Sequence, residues 1–84
     1  MNVDDLDAAI LRRAEKNWRK VALIIGVTHE DLAGAVTIEE IADHLAKLVQ
    51  QRRLDAQGDI SNWRHSEVRL PQGNDKLAFA RRSL

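Results

Sequence analysis

The sequence contains no cysteine, which removes disulfides, thiolate nucleophiles and cysteine-zinc sites together and makes a reducing, cytoplasmic setting the expected one. Its four glycines stand apart at 26, 34, 58 and 73, so no glycine-rich loop is available to cradle a phosphate. The longest apolar run, Val21 to Ile25, is far too short to span a bilayer. Asp4, Asp5 and Asp7 occupy the place where a secretory leader needs a basic start and an apolar core, so no leader is expected. There is no internal repeat and no low-complexity tract. Formal net charge is zero, which denies the chain the strong field of a non-specific nucleic-acid binder.

What is present describes a small globular chain. A length of 84 residues with 44% hydrophobic and 31% charged content fits one folded domain whose core is modest, too small for a large internal active site. Charge is unevenly distributed. Residues 1–51 carry six Lys/Arg against nine Asp/Glu, residues 52–71 four against three, and residues 72–84 three against one. The basic excess lies toward the C-terminal end.

The spacing in VDDLDAAILRRAEKN predicts a first helix capped by Asp4, with Asp7 three positions on and a stripe of Leu6, Ile10, Leu11 and Ala14. Asn17 ends that helix or caps a second, in which Trp18, Val21, Ala22 and Ile25 repeat at helical spacing and Gly26 is the stop. VALII is also short and branched enough for a strand, but the spacing favours the helix. In VTHEDLAGAVT, Thr28 and Gly34 bracket a possible single turn within a longer connection. Thr37 and Glu40 form a capping box before a third helix, whose buried face is Ile38, Ile41, Ala42, Leu45, Leu48 and Val49.

The period then drops from 3.6 to 2. Leu54 and Ala56, then Ser66, Val68 and Leu70, alternate with polar residues; Gly58-Asp59 begins the bend and Pro71 ends the second run. This predicts an antiparallel hairpin whose Leu54, Val68 and Leu70 pack on the third helix. Residues 72–84 are expected to form a mobile tail or a short helix docked by Leu77 and Phe79.

Three helices followed by a hairpin is the order of a winged helix, and HLAKLVQQRRLDAQGD, with Leu48, Val49 and Leu54, resembles the passage from the third helix into the first wing strand. More narrowly, LDAAIL, WRKVA and LVQQRRLDAQGDISNWRHSEVRLP resemble an uncharacterised bacterial C-terminal domain family over roughly residues 4–71. That resemblance implies a fold and no biochemical role. Two departures from ordinary DNA-binding winged helices stand out: the long link between the second and third helices, and Arg53 near a position where most winged-helix repressors have Gly. The expected class is thus mainly α (α+β), a three-helix winged-helix-like domain with a C-terminal β-hairpin over residues 1–71 and a tail over 72–84.

A groove-reading helix presents Arg, Lys, Asn, Gln or Ser near its N-terminus. The third helix presents Glu39, Glu40 and Asp43 there, with His44, Lys47, Gln50 and Gln51 further along. Those carboxylates would repel phosphates, so the face is either simply solvated or an acidic interaction surface. On the hairpin, Arg53, Arg64 and Arg69 are long enough to reach phosphates and Trp63 can stack on a base. Alternatively Trp63 folds back over the hairpin, and the arginines pair with Asp55, Asp59 and Glu67. Trp18, in step with Val21 and Ala22, reads as core.

Catalytic patterns do not assemble. His29, Glu30 and Asp31 adjoin on a turn and point in different directions. Glu40 and His44, four apart on a helix, could share a metal ion but are only two ligands. His65, Ser66 and Glu67 alternate across a strand, so they are not a nucleophile–base–acid array. The expectation is a non-enzymatic protein without catalytic residues, cofactor, metal, small-molecule substrate or membrane contact. Two functions stay open. One is a protein-interaction module using the acidic face or the Trp63 hairpin against a protein partner or a second copy of the chain. The other is a DNA-binding regulator contacting phosphates through Arg52, Arg53, Arg64, Arg69 and Arg81-Arg82.

Overall fold

A computed structural model describes residues 2–72; the expectations for the segment beyond them lie outside the described residues. The first helix, α1 (Val3–Arg13), starts at Asn2, whose Oδ1 accepts from the Asp5 amide at 2.8 Å. The expected cap, Asp4, instead lies in the first turn with Asp5. Starting two residues earlier frees both carboxylates to face the positive helix end while Asn2 satisfies an amide. Leu6, Ala9 and Ile10 form the buried stripe, and the extended backbone of Ala14 ends the helix.

The largest departure from expectation comes next. Trp18 does not begin a helix. Arg19–Lys20 form a short strand, β1, and α2 (Val21–Asp31) starts only after it. The α2 N-terminus has no side-chain cap; the Ser66 carbonyl accepts the Val21 amide at 3.0 Å. A backbone group from far along the chain therefore does the work of a capping residue. Gly26 does not stop the helix, and Thr28 lies fully buried within it rather than starting a separate turn. Burial of Val21, Ile24, Ile25 and Thr28 on one side outweighs a glycine penalty of about 1 kcal/mol. The stop falls at Ala33 and Gly34, both at positive φ.

α3 (Ile38–Gln50) follows the expected capping box, with the Glu40 amide donating to Thr37 Oγ1 at 3.1 Å and the Thr37 amide to Glu40 Oε1 at 3.0 Å. Ile41, Leu45 and Leu48 are buried, Ala42 and Val49 partly so; Ile38, expected inside, stays exposed in the first turn. The helix closes with Arg52 at φ 63, its amide donating to the Val49 carbonyl at 3.0 Å and that of Arg53 to Leu48 at 2.9 Å. These two bonds are the Schellman pattern usually built on glycine.

β2 (Asp55–Gln57) and β3 (Glu67–Arg69) form the expected antiparallel hairpin. β3 is central, flanked on its other side by β1 through Arg19↔Val68 and Lys20↔Glu67, so the sheet order is β1-β3-β2. Leu54 and Val68 enter the core, while Leu70 is only half-buried. Leu70 donates its amide to the Glu15 carbonyl at 2.8 Å, tying the end of the hairpin to the segment after α1. The whole is helix-dominated, with one core of Leu6, Ile10, Ile24, Ile25, Ile41, Leu45, Leu48, Leu54 and Val68 between the three helices and the sheet. The layout is α+β and winged-helix-like.

Candidate interaction groove

The loop joining β2 to β3 is structured by its own residues. Gly58 turns the chain at φ 80, and a Cβ there would stand 2.7 Å from the His65 carbonyl oxygen. Asp59 accepts from the amide and hydroxyl of Ser61 at 3.0 and 2.6 Å, an Asx turn that holds its carboxyl below the usual range. A single 3-10 turn, Trp63–His65, follows, and the buried Ser66 hydroxyl donates to the Asn62 carbonyl at 2.8 Å. The effect is to lay Ile60 and Trp63 against the core as partly buried side chains. Trp63 thus folds back, as the structural alternative had it.

Where this loop meets α3 it leaves a cavity of about 320 Å³. Ala42 and Ala46, one helical turn apart, supply little volume to its wall; Ile60, Ser61 and Trp63 form the opposite side. Glu39 and Asp43, also one turn apart, line the same cavity. Both are exposed and make no ion pair among the described residues. Two features that stood as alternatives in the sequence, the acidic helix face and the Trp63 hairpin, become one surface. The sequence reading missed Ala42 and Ala46 as groove residues, and Ile60 altogether. The one available signal was the paired repeat of carboxylate and alanine at 39, 42, 43 and 46 on a single helical stripe.

Glu40 does not belong to this surface. Its carboxylate accepts from the Thr37 backbone and hydroxyl, which hold its pKa below the usual range. His44, four residues further along α3, lies with Nδ1 3.2 Å from Asp7 Oδ1. Glu40 and His44 are therefore each engaged elsewhere, and among the described residues no group of three or more His, Asp or Glu is placed to hold a metal ion.

The arginines do not converge. Arg53 reaches Asp7 Oδ2 at 3.7 Å, so the buried Asp7 carboxylate joins α1 to α3 through His44 and to the segment after α3 through Arg53. Arg69 lies 4.4 Å above the Trp18 ring and 3.5 Å from Asp55 Oδ2. Trp18, expected in the core, is a half-buried platform for that guanidinium. Register explains this: a residue just before Arg19 on β1 faces the neighbour of Val68 on β3, which is Arg69, away from the core. Of the three expected wing arginines, only Arg64 is exposed with no ion pair among the described residues. Asp59 and Glu67, the expected acidic partners, accept from Ser61 and from Gln57 Nε2 instead.

No helix among the described residues is long and apolar enough to cross a membrane. No protein-family model, no curated protein and no solved structure matches the chain. What it does must be argued from its own surface.

Proposed function

We propose that this domain is a non-catalytic protein-interaction module that receives a partner segment in the groove between α3 and the β2–β3 loop. The observation that carries the reading is the coincidence, in one concavity, of two carboxylates free of ion pairs among the described residues with a half-buried tryptophan. An apolar wall gives an anchor side chain somewhere dry to go, and a charged rim selects its flanks. Partners of this chemistry are basic and amphipathic.

The second reading, DNA binding through the hairpin, draws on exposed Arg64 and on the basic excess of the C-terminal third. Against it stand Arg53 and Arg69, each already beside a carboxylate, and the acidic N-terminal turn of α3. Fold alone decides neither.

The two readings separate in one pair of measurements. Anisotropy of labelled random duplex and single-stranded DNA is titrated at low and at physiological salt. In parallel, wild-type protein, a Glu39→Lys/Asp43→Lys variant and Arg64→Glu are compared as baits for protein partners. The groove reading expects no DNA binding even at low salt, and a partner lost by the charge-reversed groove but kept by Arg64→Glu. Binding to DNA that is abolished by Arg64→Glu and weakens by about one unit of salt slope per lost phosphate contact would replace it with the second.

A further inference from the structure

The chain carries a segment with the chemistry the groove selects. Residues 73–84 read GNDKLAFARRSL, in which Lys76, Arg81 and Arg82 flank Leu77 and Phe79. Building on the reading of the groove as a peptide-docking surface, we propose that residues 76–82 of the same molecule are its resident occupant, which a partner must displace.

Charge is the first argument. Residues 76–82 carry three basic residues and no acidic one, and the cavity wall they would meet carries Glu39 and Asp43, whose carboxylates make no ion pair among the described residues. Size is the second. A cavity of about 320 Å³ is at the small end of ligand sites, suited to one or two apolar side chains such as Leu77 or Phe79 rather than to a large ligand. Reach is the third. A compact domain of this length has a radius of gyration of about 11 Å, hence a diameter of about 29 Å. The last described residue, Gln72, is anchored by its side-chain amide to the Lys16 and Leu70 carbonyls at 3.2 and 2.8 Å. From there, positions 76–82 can extend about 13 to 35 Å.

Tethering also lowers the affinity required. A short flexible linker supplies an effective concentration in the millimolar range, so a contact with a dissociation constant of about 1 mM is about half-occupied within one molecule. The same contact between molecules at micromolar concentration is essentially absent. An external partner then binds with its affinity reduced by the fraction of open groove, which makes the segment an internal competitor.

Because the chain has no cysteine, Ser83→Cys gives a single site for a nitroxide spin label on the full-length protein. Paramagnetic broadening is read in nitrogen-15 spectra at the amides of Ala42, Asp43, Ala46 and Ser61 and at the Trp63 indole. The expected result is broadening concentrated on those signals. It is lost in Glu39→Lys/Asp43→Lys, and lost again in Leu77→Ser/Phe79→Ser, whose changes lie outside the described core. Groove signals no more broadened than the rest of the domain would overturn the proposal. So would broadening that survives both variants. A sample mixing nitrogen-15 protein without label and spin-labelled protein without nitrogen-15 tests the alternative occupant: broadening there assigns the segment of a second copy and refutes the intramolecular contact. If partner capture still depends on Glu39 and Asp43 while no broadening is seen, the interaction groove stands and its internal occupant does not.

Discussion

At the scale of single residues, three backbone positions carry opposite instructions. Gly26 lies inside α2, exposed, with nothing within 4 Å of an added Cβ. Gly26→Ala is therefore expected to raise stability by about 0.5–1 kcal/mol, visible as a higher midpoint in urea with an unchanged slope. Gly58 is the reverse case, at φ 80 with a backbone oxygen 2.7 Å from the Cβ position. Gly58→Ala should cost at least about 2 kcal/mol, since strain from positive φ and a steric clash with backbone add, and thermal unfolding checks it. Arg52 occupies a glycine-favouring conformation at φ 63 with an exposed side chain. Arg52→Gly is expected to stabilise by about 1 kcal/mol while preserving the Schellman bonds; a loss of stability would show that the guanidinium contributes more than its backbone costs. The turn next to Arg53 thus places a non-glycine residue at positive φ.

At the scale of elements, α3 was legible because its signals are local. Thr37, Glu40 and the stripe of Ile41, Leu45 and Leu48 lie within a dozen residues and act on one another directly. Thr37→Ala should remove the hydroxyl half of the capping box, leaving the residue-37 amide bonded to the Glu40 carboxylate, and cost about 1 kcal/mol; the coupling between the two side chains is measured by a double-mutant cycle with Glu40→Ala. The hairpin was legible for a similar reason, its alternation being local. α2 and β1 were not. Arg19 and Lys20 are extended because they pair with Val68 and Glu67, and α2 begins where the Ser66 carbonyl accepts the Val21 amide. Neither partner is near in sequence, so helical spacing from Trp18 to Ile25 pointed to one continuous helix. Gly26 misled for the same reason: intrinsic propensity marked a stop, and burial of Ile24, Ile25 and Thr28 carried the helix past it.

At the scale of the whole molecule, three carboxyls in different places have depressed pKa values for three local reasons. Asp31 is held down first by its bond from Arg13 at 2.6 Å, Glu40 first by the Thr37 amide, and Asp59 first by the Ser61 hydroxyl. A carboxyl with a lower pKa folded than unfolded contributes stability that is fully present above its unfolded value and lost as pH falls through its folded value. The melting temperature is therefore expected to fall below about pH 4, where unfolded carboxyls begin to bind protons. Replacing Asp31 with Asn should flatten the acid limb, and because the Arg13–Asp31 pair is accessible to solvent, added salt should weaken its share. The groove belongs to this scale as well. Glu39 and Asp43 were evident as an acidic face and Trp63 as an anchor candidate, but nothing local brings residues 60–63 beside residues 39–46.

The sequence by itself determined the class of this protein: a helix-rich chain with a cap at Thr37, a hairpin closing its core and charged faces outside, because periodicity, capping and turn chemistry act over a few residues. Only the tertiary structure decided where α2 begins, that Trp18 supports Arg69 rather than the core, that Asp7 holds His44 and Arg53, and that an acidic face and a tryptophan share one groove. Each of these depends on a contact between residues far apart in the chain, whose free energy comes from the burial and pairing available once the helices and the sheet have met.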